Sequence, residues 1–383
     1  MGIRRSAAYL SELESLRGVA IALVYAFHTD GLVHFMQIRR PPATLLGALV
    51  RRGNTGVDLF FVLSAFLLTL PFVAEADHGR PVALRRYFLR RGLRILPLYW
   101  VAVLPVILLT AQNWREIVEV LPLLVLVGAI TPPVPRMFPY ATVWWSLATE
   151  WQFYLLLPLV RWVLRPRVGI WIGLALLSGW ASAYCLALRT PSYETDQMTW
   201  LFSSLFGRAP IFVFGIVGAV LYVRHGVRAR TWLHSRPVMR NGGADVLLVG
   251  TCLLLLVLLY AVCGYDLLVS ERAPLVVWHV GAGALWALIV ALVLVAPLRS
   301  RALFCNPLMA WVGTVSYSVY LWHVPITSQA LSLVWHRWPG VGHAWDLPTT
   351  AIVAMMTAAL LVCSWLSYRL IEQPFLRYKA KLE

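Results

Sequence analysis

Apolar runs long enough to cross a bilayer recur along almost the whole chain. They lie near residues 14–34, 55–74, 95–111, 143–161, 168–188, 200–223, 245–263, 275–296, 308–335 and 349–371. A hydrocarbon core about 30 Å thick requires roughly 20 apolar residues in a helix. The chain is 60% hydrophobic and 13% charged, which is more apolar surface than a soluble domain can bury. The runs are continuous rather than alternating, which argues against a β-barrel. They predict an all-α integral membrane protein of about ten transmembrane helices.

The distribution of Lys and Arg predicts how the chain is oriented. The formal net charge is +16, but the basic side chains cluster in short segments between apolar runs rather than on a nucleic-acid-binding face. With ten spans and both termini cytoplasmic, two thirds of the 33 Lys and Arg residues lie on the cytoplasmic side. Counting 117–131 as a further span reverses this bias beyond residue 142. That short segment is therefore predicted to be re-entrant or interfacial. The expected location is the plasma (inner) membrane, as a multi-pass protein.

The segments between the apolar runs are too short to form a domain of their own. The sequence therefore predicts one membrane domain over residues 1–383 and no separate soluble domain. It contains no phosphate loop, zinc-ligand pattern or dinucleotide fingerprint. We expect chemistry without a metal or redox cofactor, and no nucleic-acid partner.

Ionisable side chains inside apolar runs are functional candidates, because lipid exposes them to a large desolvation cost unless they are paired. Arg17 and His28 lie 11 positions apart in the first run, which puts them on one helix face about 16 Å apart along the axis. Asp58 and Glu150 fall at a depth similar to that of His28. A carboxylate beside an imidazole orients it as a general base, so we predict that the three groups converge. A structural polar network that pins the helices together is the alternative.

The densest positive charge lies at residues 85–94, where Arg side chains recur at helical spacing. One interpretation is ordinary cytoplasmic charge or contact with anionic lipid. The other is a site for the phosphates of a nucleotide-bearing donor, since a guanidinium presents a planar fork to phosphate. His323 is a second imidazole inside an apolar run. It also falls in the outer half of the membrane and is expected to line the same cavity.

Six segments, in order along the chain, resemble the acyltransferase-3 family of integral membrane O-acyltransferases. They are residues 15–18 (SLRG) followed by His28, 56–67 (GVDLFFVLSAFL), 86–97 (RYFLRRGLRILP), 146–155 (SLATEWQFYL), 317–325 (YSVYLWHVP) and 371–375 (IEQPF). Ala65 departs from the family pattern, which usually has glycine after the serine. Its methyl group is expected at a close contact between helices.

This resemblance implies ten spans and transfer of an acyl group, acetyl by family frequency, from cytoplasmic acyl-CoA to a hydroxyl. His28 is then the essential histidine, with Arg17 as its motif partner and Glu150 and Asp58 as supporting carboxylates. The donor-binding residues implied are Arg86, Arg90, Arg91 and Arg94. We expect Trp145, Tyr317 and His323 to line the acceptor site, because aromatic rings suit sugars and other ring-bearing acceptors. His28 acts either as a general base or through an acyl-histidine intermediate.

Several alternatives stay open from the sequence. The acceptor is a glycan or another secreted hydroxyl compound, or a small molecule such as a macrolide antibiotic. The resemblance is to the form of the family without a fused esterase-like domain. A membrane acyltransferase of another class would use His323 as its main catalytic group. A polytopic transporter and a non-catalytic lipid-binding or assembly protein are the rivals from other functional classes.

Overall fold

The computed structural model describes residues 6–33, 44–79, 81–110, 114–115, 117–118, 143–165, 168–189, 201–263, 272–338 and 345–380. Within these ranges the regular structure is entirely helical, and no strand is found. The predicted all-α class is therefore confirmed. Apart from residues 117–118, the predicted re-entrant segment near 117–131 lies outside the described residues.

Fifteen α-helices make up the described part of the chain. In order they are α1 (Ser6–Val33), α2 (Leu45–Arg51), α3 (Thr55–His78), α4 (Leu84–Thr110), α5 (Trp145–Leu156), α6 (Val160–Val163), α7 (Gly169–Arg189), α8 (Leu205–Ser235), α9 (Ala244–Cys263), α10 (Arg272–Val295), α11 (Arg301–Phe304), α12 (Pro307–Thr314), α13 (Ser316–Arg337), α14 (Leu347–Ser367) and α15 (Gln373–Ala380). A 3-10 turn at Leu157–Leu159 joins α5 to α6, and π-helical turns at Met239–Gly243 and Tyr368–Glu372 precede α9 and α15.

Seven helical segments of the described chain are long and apolar enough to cross a membrane. They are Ser11–Val33, Thr55–His78, Gly169–Leu186, Leu201–Ser235, Met239–Cys263, Val276–Val295 and Leu347–Tyr378. The protein is thus a multi-pass membrane protein. The other three predicted spans correspond to α4, α5 and α13. The 12-residue length of α5 and the polar side chains of α13 keep these two helices below the same standard.

The centre of the structure is formed by α1, α3, α8 and α10, which pack closely on one another. Stacked aromatic rings fill the space between α3, α5 and α8. Phe212 lies with its ring centroid 4.5 Å from that of Phe61 and 4.3 Å from that of Phe153. Stacking of this kind contributes beyond the burial of the ring surfaces. By contrast, α7 presents most of its apolar side chains outward, as expected of a helix that faces lipid.

Two glycines allow α1 to cross α12 with the two backbones in contact. A Cβ atom at Gly18 would lie 2.2 Å from the carbonyl oxygen of Met309, and one at Gly313 would lie 1.7 Å from that of Glu14. Small residues at helix crossings are typical of membrane proteins, because close approach maximises van der Waals contact. This crossing fixes α1, which carries Arg17 and His28, against the segment that leads into α13.

We expect Gly313→Ala to destabilise the folded protein by about 1–3 kcal/mol, since the added methyl group must displace backbone. The measurement is the midpoint of thermal unfolding in detergent. Gly250→Ala is the matched control, because nothing lies within 4 Å of the added Cβ atom and alanine is the better helix former. Equal midpoints for the two variants would contradict the close crossing.

Ala65 lies at a close helix contact, as its position in the family pattern predicted. The residue is fully buried on α3. Its Cβ atom would be 2.6 Å from a Cβ atom added at Gly215 of α8. The glycine is therefore on the opposite helix in this chain, and it provides the space that the methyl group of Ala65 occupies.

Candidate active site

A cavity of about 110 Å³ opens among α1, α3, α4, α5 and α13. Apolar side chains of α3 form much of its wall. The polar and charged residues that line it are Arg17, Ser64, Arg91, Arg94, Ser146, Glu150, Tyr154, Ser316, Tyr317 and Tyr320. Three guanidinium groups thus face one carboxylate, so the cavity carries a net positive charge and is suited to an anionic ligand.

The arginines of the cavity retain unused hydrogen-bond donors. The Arg91 Nε and Arg94 Nη2 atoms are buried and have no hydrogen-bond partner within the described residues. The guanidinium group of Arg91 lies 6.0 Å from the ring centroid of Tyr154. Arg17 makes a 3.6 Å ion pair with Glu14, one turn earlier on α1. Buried donors without partners are costly, and a bound phosphate would satisfy them.

Two hydroxyl groups hold Glu150 in the cavity wall. Tyr154 Oη donates a hydrogen bond of 2.5 Å to Glu150 Oε1, and Ser64 Oγ donates to the same oxygen. The sequence predicted that Glu150 or Asp58 contacts His28. Within the described structure Glu150 makes no hydrogen bond to His28, and its carboxylate is held by Ser64 and Tyr154 instead. That expectation of direct contact was wrong for Glu150.

Asp58 lies in a separate buried cluster. Its carboxylate pairs with Arg208 of α8 at 2.5 Å and accepts a hydrogen bond of 2.8 Å from the indole of Trp278. Arg208 is 1% exposed and Asp58 is completely buried. A buried arginine binds a carboxylate more strongly than a neutral imidazole does, so Asp58 pairs with Arg208 rather than with His28. The expected direct contact with His28 is therefore wrong for Asp58 as well.

His28 contacts His323 instead. The two rings meet edge to face, with centroids 4.9 Å apart, and His323 Nε2 lies 3.2 Å from His28 Nδ1. His323 is fully buried, whereas His28 is partly exposed. Neither ring lines the cavity. The sequence placed both histidines at a similar depth, and the structure brings them together.

Tyr320 connects the histidine pair to the cavity. Its ring lines the cavity and lies 5.6 Å from the ring of His323, and its backbone carbonyl lies 2.7 Å from His323 Nδ1. Its hydroxyl group is held by the backbone carbonyl of Val143 and by Ser146 Oγ, at 2.6 Å from the latter. Tyr317 also lines the cavity and donates to the carbonyl of Ile95 at 2.7 Å.

The remaining predicted site residues fall outside the cavity wall. Trp145 packs with its ring centroid 5.2 Å from the Arg208 guanidinium group, so it contacts the buried ion pair and does not line the cavity. On α4, Arg86 is exposed, and Arg90 does not line the cavity. One face of α4 turns toward the cavity, and from the basic segment this face brings Arg91 and Arg94 into the cavity wall.

Sequence reasoning did not single out Arg208, the partner of Asp58, or the cavity residues Ser64, Ser146, Tyr154, Ser316 and Tyr320. An arginine inside an apolar run is a recognisable signal for a buried partner, so Arg208 was open to detection. The hydroxyl groups carry no such signal, because serine and tyrosine are tolerated in membrane helices. Within the described residues no group of three or more His, Cys, Asp or Glu side chains forms a potential metal site.

The chain is similar to known proteins over nearly its whole length. The acyltransferase-3 family, whose model is described as an acyltransferase domain, matches residues 10–369. Peptidoglycan O-acetyltransferase OatA of Listeria monocytogenes serovar 1/2a (strain ATCC BAA-679 / EGD-e) is 26% identical over 97% of this chain. A putative O-acetyltransferase of Staphylococcus aureus (strain COL) is 24% identical over 96% of it. The same values hold for the putative membrane-bound transacylase BcsY of Komagataeibacter xylinus.

The chain spans only part of these relatives. It covers 56% of the length of OatA, 57% of the staphylococcal protein and 83% of BcsY. No solved structure matches the chain significantly.

Proposed function

Because the chain belongs to the acyltransferase-3 family of membrane acyltransferases, we propose that it transfers an acyl group from acyl-CoA to a hydroxyl group of a carbohydrate or another secreted acceptor. The acyl group is acetyl, as the names of OatA and the staphylococcal relative suggest. The observation that carries the proposal is the cavity that places Arg17, Arg91 and Arg94 around one carboxylate.

The arginines of the cavity provide the donor site in this proposal. Arg91 and Arg94 offer buried guanidinium donors without partners to the phosphates of CoA. Arg17 lies at the same end of the cavity, three turns of α1 away from His28. The thiol-bearing arm of CoA would extend from the arginines past Tyr317 and Tyr320 toward the histidine pair. The thioester is already activated, so the protein needs chiefly to position it and to activate the acceptor.

His28 is the proposed general base. The acceptor hydroxyl gives its proton to His28 as its oxygen attacks the thioester carbonyl carbon. The resulting tetrahedral intermediate breaks its carbon–sulfur bond, and the departing CoA thiolate takes a proton from the imidazolium. The products are the O-acyl acceptor and free CoA, and His28 returns to its neutral form. An acyl-histidine intermediate is the alternative route, in which His28 attacks the thioester first.

The proposed topology has ten spans, with both termini and the basic segment of α4 on the cytoplasmic side of the plasma membrane. The excess of Lys and Arg in the segments on that side supports it. In this orientation the arginine end of the cavity faces cytoplasmic acyl-CoA. His28 lies about 16 Å farther along α1 toward the outer surface, where a secreted acceptor would enter.

We expect Arg94→Gln to weaken binding of acetyl-CoA by about 10- to 100-fold, the equivalent of one lost charge-assisted hydrogen bond. The measurement is the Kd for acetyl-CoA by isothermal titration calorimetry of the purified protein in detergent. Arg85→Gln is the matched control, because Arg85 is exposed on the same helix and does not line the cavity. Equal Kd values for the two variants would contradict the assignment of the cavity as the acyl-CoA site.

A further inference from the structure

The backbone around His323 determines which of its ring nitrogens carries the proton. His323 Nδ1 lies 2.7 Å from the carbonyl oxygen of Tyr320 and 3.2 Å from that of Val319. A carbonyl oxygen only accepts hydrogen bonds, so Nδ1 must be the protonated nitrogen. In the neutral ring Nε2 is then an acceptor. It lies 3.2 Å from His28 Nδ1 and points at it.

The neighbours of His28 determine the tautomer of its ring in the same way. Its Nδ1 atom lies 2.9 Å from the carbonyl oxygen of Val24 and 3.2 Å from His323 Nε2. Both neighbours are acceptors, so His28 Nδ1 carries the proton and donates it. Nε2 of the neutral His28 ring therefore keeps its lone pair. No described residue makes a hydrogen bond to that nitrogen.

Building on the proposed function, we propose that His323 is a positioning residue that holds His28 as the Nδ1-protonated tautomer and so presents Nε2 as the base for the acceptor hydroxyl. In many hydrolases a carboxylate performs this task for a catalytic histidine. Here Asp58 is bound to Arg208, and Glu150 is bound to Ser64 and Tyr154. A neutral imidazole accepts the same hydrogen bond without adding a negative charge to the membrane interior.

His323 also stabilises the charge that develops on His28 during the reaction. When His28 takes the acceptor proton at Nε2, its ring becomes a cation, and the Nδ1–H bond to His323 strengthens. Because His323 Nδ1 is held by backbone carbonyls, its ring does not need to turn as this charge develops. Its contribution should therefore affect kcat rather than the KM for acyl-CoA.

Two amide substitutions test this role. The amide of glutamine reaches the position of imidazole Nε2, so His323→Gln retains an oxygen that accepts from His28. The amide of asparagine reaches only the position of Nδ1, so His323→Asn leaves His28 Nδ1 without that acceptor. We expect His323→Gln to keep kcat within about tenfold of the wild type and His323→Asn to lose about 100-fold, with an unchanged KM for acetyl-CoA in both.

Nitrogen NMR of ring-labelled histidine provides a readout that a purely structural role would not change. The His28 signals are assigned by their absence in His28→Ala. We expect the Nδ1-protonated form in the wild type and in His323→Gln, and a mixture of tautomers in His323→Asn. The Nε2-protonated form in the wild type would overturn the proposal even if His323→Asn does not fold. Full turnover by a folded His323→Asn protein would overturn it too.

Failure of this inference is distinguishable from failure of the proposed function. If the wild type transfers acyl groups and His323→Asn does so at the same rate, only the positioning role of His323 is contradicted. A wild type that binds acetyl-CoA but acylates no acceptor would remove the proposed function and this role with it.

Discussion

Replacing His28 by alanine is expected to reduce kcat for acyl transfer by about 10²- to 10⁴-fold, the usual contribution of a general base. Binding of acetyl-CoA should be unchanged, because His28 does not line the cavity and lies about 16 Å along α1 from the cavity residue Arg17. The measurement pairs steady-state release of CoA with the Kd for acetyl-CoA. A loss of both quantities together would indicate disruption of the fold rather than loss of a base.

His225→Ala is the matched control for this experiment, since His225 is exposed on α8 far along the chain from the site. Near-normal turnover by His28→Ala would contradict the proposed role of His28. If His323→Ala were then inactive, the alternative with His323 as the main catalytic group would take its place. The two substitutions therefore show whether His28 or His323 is the main catalytic group.

Breaking the buried ion pair is expected to have the largest effect on stability. Asp58→Ala leaves the guanidinium group of Arg208 charged and completely buried, and it removes the acceptor of the Trp278 indole. Loss of one partner from a buried pair costs about 3–5 kcal/mol. We expect a large decrease in the thermal unfolding midpoint, measured in detergent, and a low yield of folded protein.

The same two helices provide an internal control. Asp77 of α3 pairs with Arg224 of α8 at 2.9 Å, but these side chains are 26% and 39% exposed. An exposed pair is worth about 0–1 kcal/mol, so Asp77→Ala should hardly change the midpoint. Replacing both buried charges, as in Asp58→Leu with Arg208→Met, should recover much of the stability that Asp58→Ala loses. A similar loss for Asp58→Ala and Asp77→Ala would contradict this account of the cluster.

The sequence predicted the relative level of side chains better than their direction. The position of each histidine within its predicted span placed His28 and His323 at a similar level, and the structure shows them in contact. The direction in which each side chain points depends on how the helices rotate against one another. Asp58 turns to Arg208, 150 positions later in the chain, and spacing within one run carries no information about that partner.

The basic segment of α4 illustrates the same limit. Its helical spacing grouped several arginines on one side, but Arg86 is exposed while Arg91 and Arg94 line the cavity. The segment between the first two predicted spans also contains arginines, although the proposed topology places it on the outer side of the membrane. Of these, Arg52 donates to the carbonyl oxygen of Val262 at 2.7 Å and lies 5.3 Å from the ring centroid of Trp278. Tertiary contacts, rather than membrane orientation, account for that residue.

Transfer of radiolabelled acetyl groups from acetyl-CoA to hydroxyl acceptors tests the central claim most directly. The purified protein would be incubated in detergent with a panel of glycans and small hydroxyl compounds, and both the acylated product and free CoA would be quantified. We predict product in equal amount to released CoA for at least one acceptor, and a rate at least about 100-fold lower with His28→Ala. Absence of product and of acetyl-CoA binding, together with uptake of an unmodified solute into proteoliposomes, would contradict the claim and indicate a transporter.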